Sequence, residues 1–389
     1  MKQFNILCKC FMGFEETLKA EMEKLGVRKC EILRRAVKGH CSAEQLIAIN
    51  YQLRTALSVQ VLIKEFSISS TEDFYTKAFN IPWEEYFHEN KSFKIDNTVF
   101  STFFNNSGFA SLKLKDAVVD RFKKTKGFRP NVNLLKPDVF IHLTIQENRV
   151  IIGFNTSGDP LFKRGYRQKS SEAPINETLA ASLLMTSSWD QKSSISNPMC
   201  GSGTIGIEAA LIALNKAPNI NRRSFGYENL DFLEIKPEQI EAVKNKILSE
   251  EIENEDFVVF CHDIDSEMIY ATQLNASNAG VLSSFRAKKA DFFNEKVKNK
   301  AKFIFINPPY DERMEIDEPE EFYEDMGSRL KQGYGGTKTY IITTFEDVYK
   351  CIGLRAQEKL QTTNGALKAF YFGLEIFDGN MKEYKTNNA

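Results

Sequence analysis

The sequence predicts an α/β protein: a doubly wound, mostly parallel sheet in its second half, preceded by smaller α+β blocks. Three observations carry this. From Glu177 onward short apolar strands alternate with helical patterns, the signature of parallel strands joined by crossover helices. A glycine-bearing turn, Asn197-Pro198-Met199-Cys200-Gly201-Ser202-Gly203, joins an expected strand to an expected helix. Before Asn155 the order is instead of α+β type and closes on a hairpin signal at Glu147-Asn148.

The first block predicts a strand at Phe4 to Cys10, a helix at Phe14 to Lys24, a strand at Cys30 to Lys38, a helix at Ala43 to Arg54 and a β-rich stretch at Ala56 to Phe66. The second predicts a helix at Asp73 to Asn80, a strand at Ser92 to Val99, a basic helix at Lys113 to Lys126, and strands at Val139 to Gln146 and Arg149 to Asn155. A cationic connector, Leu161 to Gln168, leads to Pro174, where a helix start is marked. The third block then reads helix Glu177 to Thr186, strand Ser193 to Ser196, glycine turn, helix Thr204 to Leu214, strand Phe257 to Cys261, helix Glu267 to Ala279, strands Phe285 to Lys288 and Phe303 to Ile306, a helix, and strand Thr339 to Thr344. The charged stretch Lys216 to Asn254 interrupts this alternation and reads as a surface excursion.

Composition narrows the functional classes. With 389 residues, 42% apolar and 26% charged, the chain is ordinary globular protein of about two or three domains. A net charge of -1 argues against a globally basic nucleic-acid binder but leaves room for a local basic patch. Seven scattered cysteines, no signal-peptide pattern and no long apolar run predict a cytoplasmic protein without a membrane span. Cys8, Cys10, Cys30, Cys41 and His40 lack the paired C-x2-C spacing of zinc knuckles, so no metal is expected.

The chemistry lies at strand ends. Gly201 and Gly203 can bring bare backbone against a nucleotide-like cofactor, and the spacing matches neither a P-loop nor a dinucleotide fingerprint. Asp263, with Ile264, closes the next strand and can accept ribose hydroxyls, whereas Asp265 is placed to cap the following helix. Asp291 offers a carboxylate for an adenine amine, and Phe292 a ring for its face. Asn307-Pro308-Pro309-Tyr310 follows an apolar strand, and at average composition it would occur by chance in roughly one chain of this length in a thousand. The Asn307 oxygen and the Pro308 carbonyl can take both N–H bonds of an aromatic amine, turning its delocalised lone pair toward an electrophilic methyl while Tyr310 stacks on the base.

Taken together, Lys115-Asp116-Ala117, Arg129-Pro130, Pro137-Asp138-Val139, Leu161 to Arg167, Ala173 to Ala181, Pro198 to Ala210, Asn307 to Tyr310 and Asn364 to Leu367 resemble a known family over nearly the whole chain. It is that of class I S-adenosylmethionine-dependent RNA methyltransferases joining a THUMP domain to an N-P-P-Y catalytic domain, with greatest similarity to bacterial 23S rRNA guanine-N2 enzymes. The resemblance implies a Rossmann-like methyltransferase domain at 161–389, with a linker over about 161–173, after a ferredoxin-like domain at 1–66 and a THUMP domain at 67–160. It implies S-adenosyl-L-methionine as cofactor, with Arg164, Asn176 and Thr178 over its methionine end, Pro198, Cys200, Gly201 and Gly203 beneath it, and Asp263 and Asp291 on ribose and adenine. Asn197 departs from the family's usual Asp, and Asp311 from its usual Gly.

Resemblance also turns the basic run Lys113, Lys115, Arg121, Lys123, Lys124, Lys126 and Arg129 into an expected phosphate-gripping surface, with Lys163 and Arg167 continuing it. Ribosomal RNA is the expected partner. A tRNA guanine-N2 enzyme, an RNA adenine-N6 enzyme and a non-catalytic RNA-binding assembly factor stay open, and the sequence is silent on oligomeric state.

Overall fold

A computed structural model describes residues 2–170, 174–294, 301–309, 319–365 and 367–377. Internal contacts divide the chain into two compact units: Met1–Cys10, Leu18–Leu161 and Arg222–Ile247 form the first, and Phe11–Thr17, Phe162–Asn221 and Leu248–Ala389 the second.

In chain order the first part runs β1 (Phe4–Lys9), α1 (Glu15–Lys24), β2 (Arg28–Leu33), β3 (Ala36–Cys41), α2 (Ala43–Gln52), β4 (Ser58–Ser67), α3 (Thr71–Phe79), β5 (Phe93–Phe100), α4 (Ser107–Lys126), β6 (Val139–Gln146) and β7 (Arg149–Asn155). Local chemistry sets these limits. Ser42 and Gln45 close a reciprocal capping box on α2, and α4 stops at Gly127 in the left-handed conformation at φ 70°. The single strand expected at Cys30 to Lys38 is instead the hairpin β2–β3, with Arg35 at φ 59° in its turn.

The first unit holds one seven-stranded sheet in the order β2-β3-β1-β4-β7-β6-β5. Every neighbouring pair is antiparallel except β5–β6, and the β4–β7 ladder makes the two expected N-terminal blocks a single sheet. Phe74, Trp83, Phe87, Phe93, Phe122 and Phe154 are buried in this unit. Part of the supposed surface excursion packs into the same unit: the Phe232 ring lies 5.7 Å from Phe154, 5.0 Å from Tyr86 and 6.4 Å from Phe4.

The chain continues with α5 (Glu177–Thr186), β8 (Ile195–Pro198), α6 (Thr204–Ala213), α7 (Pro237–Ser249), β9 (Val259–Asp263), α8 (Ser266–Asn278), β10 (Phe285–Lys289), β11 (Phe303–Ile306), α9 (Pro319–Gly333), β12 (Thr337–Thr343), α10 (Val348–Cys351), β13 (Ala356–Asn364) and β14 (Leu367–Ile376). Apart from α7, these build the second unit around a sheet ordered β10-β9-β8-β11-β12-β14-β13. Its first five strands are parallel, and β14 and β13 close one edge antiparallel. The terminal hairpin was not among the expected elements. Strand order reverses between β8 and β11, so a crevice opens at their carboxyl ends, where doubly wound sheets take ligands. Ile304, Ile306, Met326, Ile341, Phe370 and Phe372 seal the core beside it.

Among the described residues no helix is long and apolar enough to cross a membrane, and no cluster of three or more His, Cys, Asp or Glu is arranged to hold a metal ion.

Candidate active site

The glycine turn sits at the carboxyl end of β8, held from both sides. Gly201 N–H donates to Asp263 Oδ2 at 2.8 Å, Cys200 N–H to His262 O at 2.9 Å, and Thr272 Oγ1 to Gly201 O at 2.8 Å. Met199, Gly201 and Gly203 all have positive φ, at 59°, 53° and 84°. The two glycines differ in purpose. A Cβ on Gly201 would meet nothing within 4 Å among the described residues, so its backbone faces open space there, whereas a Cβ on Gly203 would lie 2.8 Å from the Thr272 side chain. Gly203 therefore serves the packing of α6 against α8; only Gly201 is open to a ligand. Met199 is half-buried in the same turn and packs against the core.

Pro198 and Cys200 are buried. Cys200 Sγ lies 3.6 Å from Thr272 Oγ1, and the Cys261 thiol is held well above its ordinary value by its hydrogen bond to Cys200 and by burial. Cys261, a thiol of that kind, is a poor nucleophile.

Two asparagine oxygens define the crevice. Asn197 Nδ2 donates to Phe305 O at 2.8 Å, tying β8 to β11, and its Oδ1 is buried without a hydrogen-bond partner among the described residues. An ionised Asp could not make that donation, which gives the departure from the family residue a structural role. Asn307, just past β11, likewise has a buried Oδ1 with no partner among the described residues. Buried acceptors are rarely left unmatched, so an oxygen of this kind at a sheet's switch point marks a place for an incoming donor. Pro308 is buried and Pro309 half-buried; Tyr310 and Asp311 lie outside the described residues.

Asp263 spends one lone pair per oxygen on the backbone, accepting from Gly201 N–H and, at Oδ1, from Asp265 N–H at 3.0 Å. Its other lone pairs leave it able to accept further hydroxyls. Ile264 beside it is 63% exposed, an apolar surface at the crevice edge. Asp265 accepts from Glu267 N–H and caps α8, as the sequence predicts. Asp291 accepts from Phe293 N–H at 2.9 Å and from the Asn294 side chain. Phe292 does not offer its face: it is buried and stacked on Tyr334 at 5.7 Å, so the half-buried Phe293 is the more accessible ring.

The connector is an internal brace more than a ligand surface. The Arg164 side chain is fully buried, with Nε 3.6 Å from Glu208 Oε1, and Tyr166 OH donates to the same oxygen at 3.0 Å. Asn176 caps α5, its Oδ1 accepting from Thr178 and Leu179 N–H, and Thr178 is fully buried. Arg167 donates to Glu177 at 2.8 Å, to Ile175 O at 3.0 Å and to Ser202 Oγ at 3.4 Å, which removes it from the expected RNA track. Arg164, Arg167, Asn176 and Glu177 nonetheless wall a cavity of about 530 Å³ together with Phe162, Asn364 and Gly365, and the Arg167–Ser202 bond connects its wall to the glycine turn.

On α4 the expected cations divide. Arg121 forks onto Glu84, Lys113 pairs with Glu72 at 3.0 Å, and Lys115 with Asp116 at 2.7 Å. Lys123, Lys124, Lys126 and Arg129, at the far end, are exposed, as is Lys163 on the connector.

Reversed strand order, a glycine turn and an unmatched Asn at the switch point define the class: a class I methyltransferase domain behind an α+β N-terminal part. Family comparison agrees, with an RMKL-like methyltransferase domain matched over residues 164–371, a THUMP domain over 69–155 and an RlmL ferredoxin-like domain over 5–60. The chain belongs to the RMKL-like methyltransferase family. It is 32% identical over 380 residues to the ribosomal RNA large subunit methyltransferase K/L of Vibrio campbellii, covering 96% of this chain and 53% of that protein. The chain thus spans about half the length of the curated relatives it matches. A possible methylase from Clostridium difficile 630 is 30% identical with a TM-score of 0.87, covering 97% of this chain and 100% of that one. SMU.472, solved in complex with SAH, shares the fold at 24% identity and a TM-score of 0.85, covering 98% of this chain and 100% of that one.

Proposed function

We propose that the chain is an S-adenosylmethionine-dependent RNA methyltransferase acting in the cytoplasm on an exocyclic base amine, foremost guanine N2 of large-subunit ribosomal RNA. The observation that carries this is the buried, unmatched Asn307 Oδ1 at the switch point. It needs an N–H donor, and a base amine supplies one. The domain limits that go with this reading are 1–66, 67–160 and 161–389, with Arg222–Ile247 of the last folding into the first unit, and rRNA is the partner.

The residues present fit the cofactor. Gly201 leaves open space against its backbone, Asp263 retains acceptor capacity, and the exposed Ile264 offers an apolar edge. S-adenosylmethionine, when bound, supplies an electrophilic methyl. Asn307 Oδ1 and the Pro308 carbonyl accept the two amine N–H bonds and hold the lone pair in line with it. Orientation supplies much of the rate, and proton loss follows methyl transfer, so no strong general base is required. Asn197 fixes the spacing of the two strands that carry the turn and the clamp.

The test is incubation with labelled cofactor and either rRNA lacking its modifications or total tRNA, then digestion and identification of the methylated nucleoside. N2-methylguanosine from rRNA supports the proposal. Label in tRNA, or in N6-methyladenosine, replaces its substrate, and no transfer to any RNA leaves the assembly factor.

A further inference from the structure

Between α4 and β6 the chain carries Phe128, Val132, Leu134 and Leu135, which are 47%, 45%, 73% and 95% exposed. Singly exposed apolar residues are common; four within one short connection, two of them adjacent leucines, are not. Looseness does not account for it, because the backbone is strapped to β5. Phe93 N–H donates to Asn131 O at 2.9 Å, Asn133 N–H donates to Phe93 O at 3.1 Å, and Val132 bridges Phe93 in parallel fashion. Asn133 Oδ1 then accepts from Leu135 N–H at 3.1 Å and Lys136 N–H at 3.0 Å, and Asp138 takes Ser92 N–H at 2.8 Å. The side chains are thus presented outward on a fixed turn.

Charge selects among occupants. From Arg121 to Pro137 the chain has six cations, Arg121, Lys123, Lys124, Lys126, Arg129 and Lys136, and no carboxylate, within a protein of net charge -1. Apart from Arg121, which Glu84 takes, they are exposed. A rim of cations around apolar and aromatic tips suits a single-stranded polyanion whose unstacked bases supply flat apolar faces; duplex RNA would present its phosphates and keep its bases stacked away. We propose that this strapped turn is a docking site for unpaired nucleotides of the RNA, with Phe128, Leu134 and Leu135 packing on bases while Lys126, Arg129 and Lys136 hold phosphates. The inference rests on the RNA reading above and adds to it a place and a strandedness.

The test measures binding of the full chain to a short mixed-sequence single-stranded RNA and to the same sequence as a duplex, over a range of salt. Phe128→Ser with Leu134→Ser and Leu135→Ser should weaken single-strand binding about tenfold, leave the salt slope unchanged and spare duplex binding. Lys126→Gln with Arg129→Gln should instead flatten the slope by about two phosphate contacts. Because these side chains are exposed, both variants should melt with the parent. Parent-like single-strand affinity in the serine variant overturns the inference while leaving the RNA reading intact. So does a serine variant that keeps RNA affinity but loses self-association on sedimentation, or loses binding to anionic phosphatidylserine vesicles. A parent that binds no RNA removes the RNA reading itself.

Discussion

Among the described residues the two sheets have seven strands each, yet Asn50 of the first unit and the asparagines at the strand ends of the second are treated in opposite ways. In the antiparallel unit Asn50 is fully matched: Nδ2 donates to Leu46 O and Thr156 Oγ1, and Oδ1 accepts from Ser157 Oγ at 2.7 Å. In the parallel unit Asn197 and Asn307 each keep a buried oxygen unmatched. Strand direction explains the contrast. Parallel strands all finish on one edge, so β8, β9 and β11 deliver their end residues to a common crevice, whereas antiparallel strands send ends both ways and gather nothing. One sheet holds an interior; the other holds an interior and a reaction edge.

Four experiments test that contrast. Asn307→Ala should lower methyl transfer about a thousandfold, near 4 kcal/mol, with cofactor affinity in calorimetry unchanged. A fully active variant would refute the clamp. Glu208→Gln leaves the buried Arg164 charge beside a neutral partner and should cost about 3 kcal/mol in urea unfolding of the second unit. Asn50→Ala should cost about 2 kcal/mol by stranding its partners, with turnover per folded molecule unaltered. If it instead lowered turnover like Asn307→Ala, the division of labour between the sheets would fail.

Per pH unit, the smallest effect is a slope of stability. His142 is pushed down to about 3 by burial and by Lys9, whose Nζ lies 2.6 Å from its Nε2, and Lys9 is pushed down to about 8, chiefly by burial. Unfolding lets His142 take up a proton near pH 6.5, so this stability is present above that value and is lost as pH falls toward about 3, by at most about 1.4 kcal/mol per pH unit. By the same reasoning Lys9 adds stability as pH rises from about 8 toward about 10.4. Urea midpoints against pH should show both limbs, and His142→Gln should flatten the acid one.

Much of the fold was legible because its signals are local. The pattern located β6, β7, α5 and β11 to the residue, helped by Glu147-Asn148, by Pro174 with the polar residues around it, and by the apolar run Phe303 to Ile306. The β2–β3 turn was not legible, because Arg34-Arg35 is no turn signal and Arg35 adopts positive φ under tertiary constraint. Asn364-Gly365 did announce the β13–β14 hairpin, with Gly365 at φ 62°, but it was read only as part of a resemblance. At the site, sequence order placed Gly201, Asp263, Asp291 and Asn307 at strand ends. It could not say which atoms stay available: Thr178 and Phe292 are absorbed by packing, Asn176 by a cap, and Arg167 by Glu177.

Phe232 gives the first unit a history as well as a core. The rings it packs against, Phe4, Tyr86 and Phe154, leave the ribosome long before it does, and its own segment follows β8 and α6. During synthesis the N-terminal unit must therefore wait, with an aromatic surface uncovered, until part of the second unit has already emerged. A fragment cut at residue 161 would keep that surface uncovered.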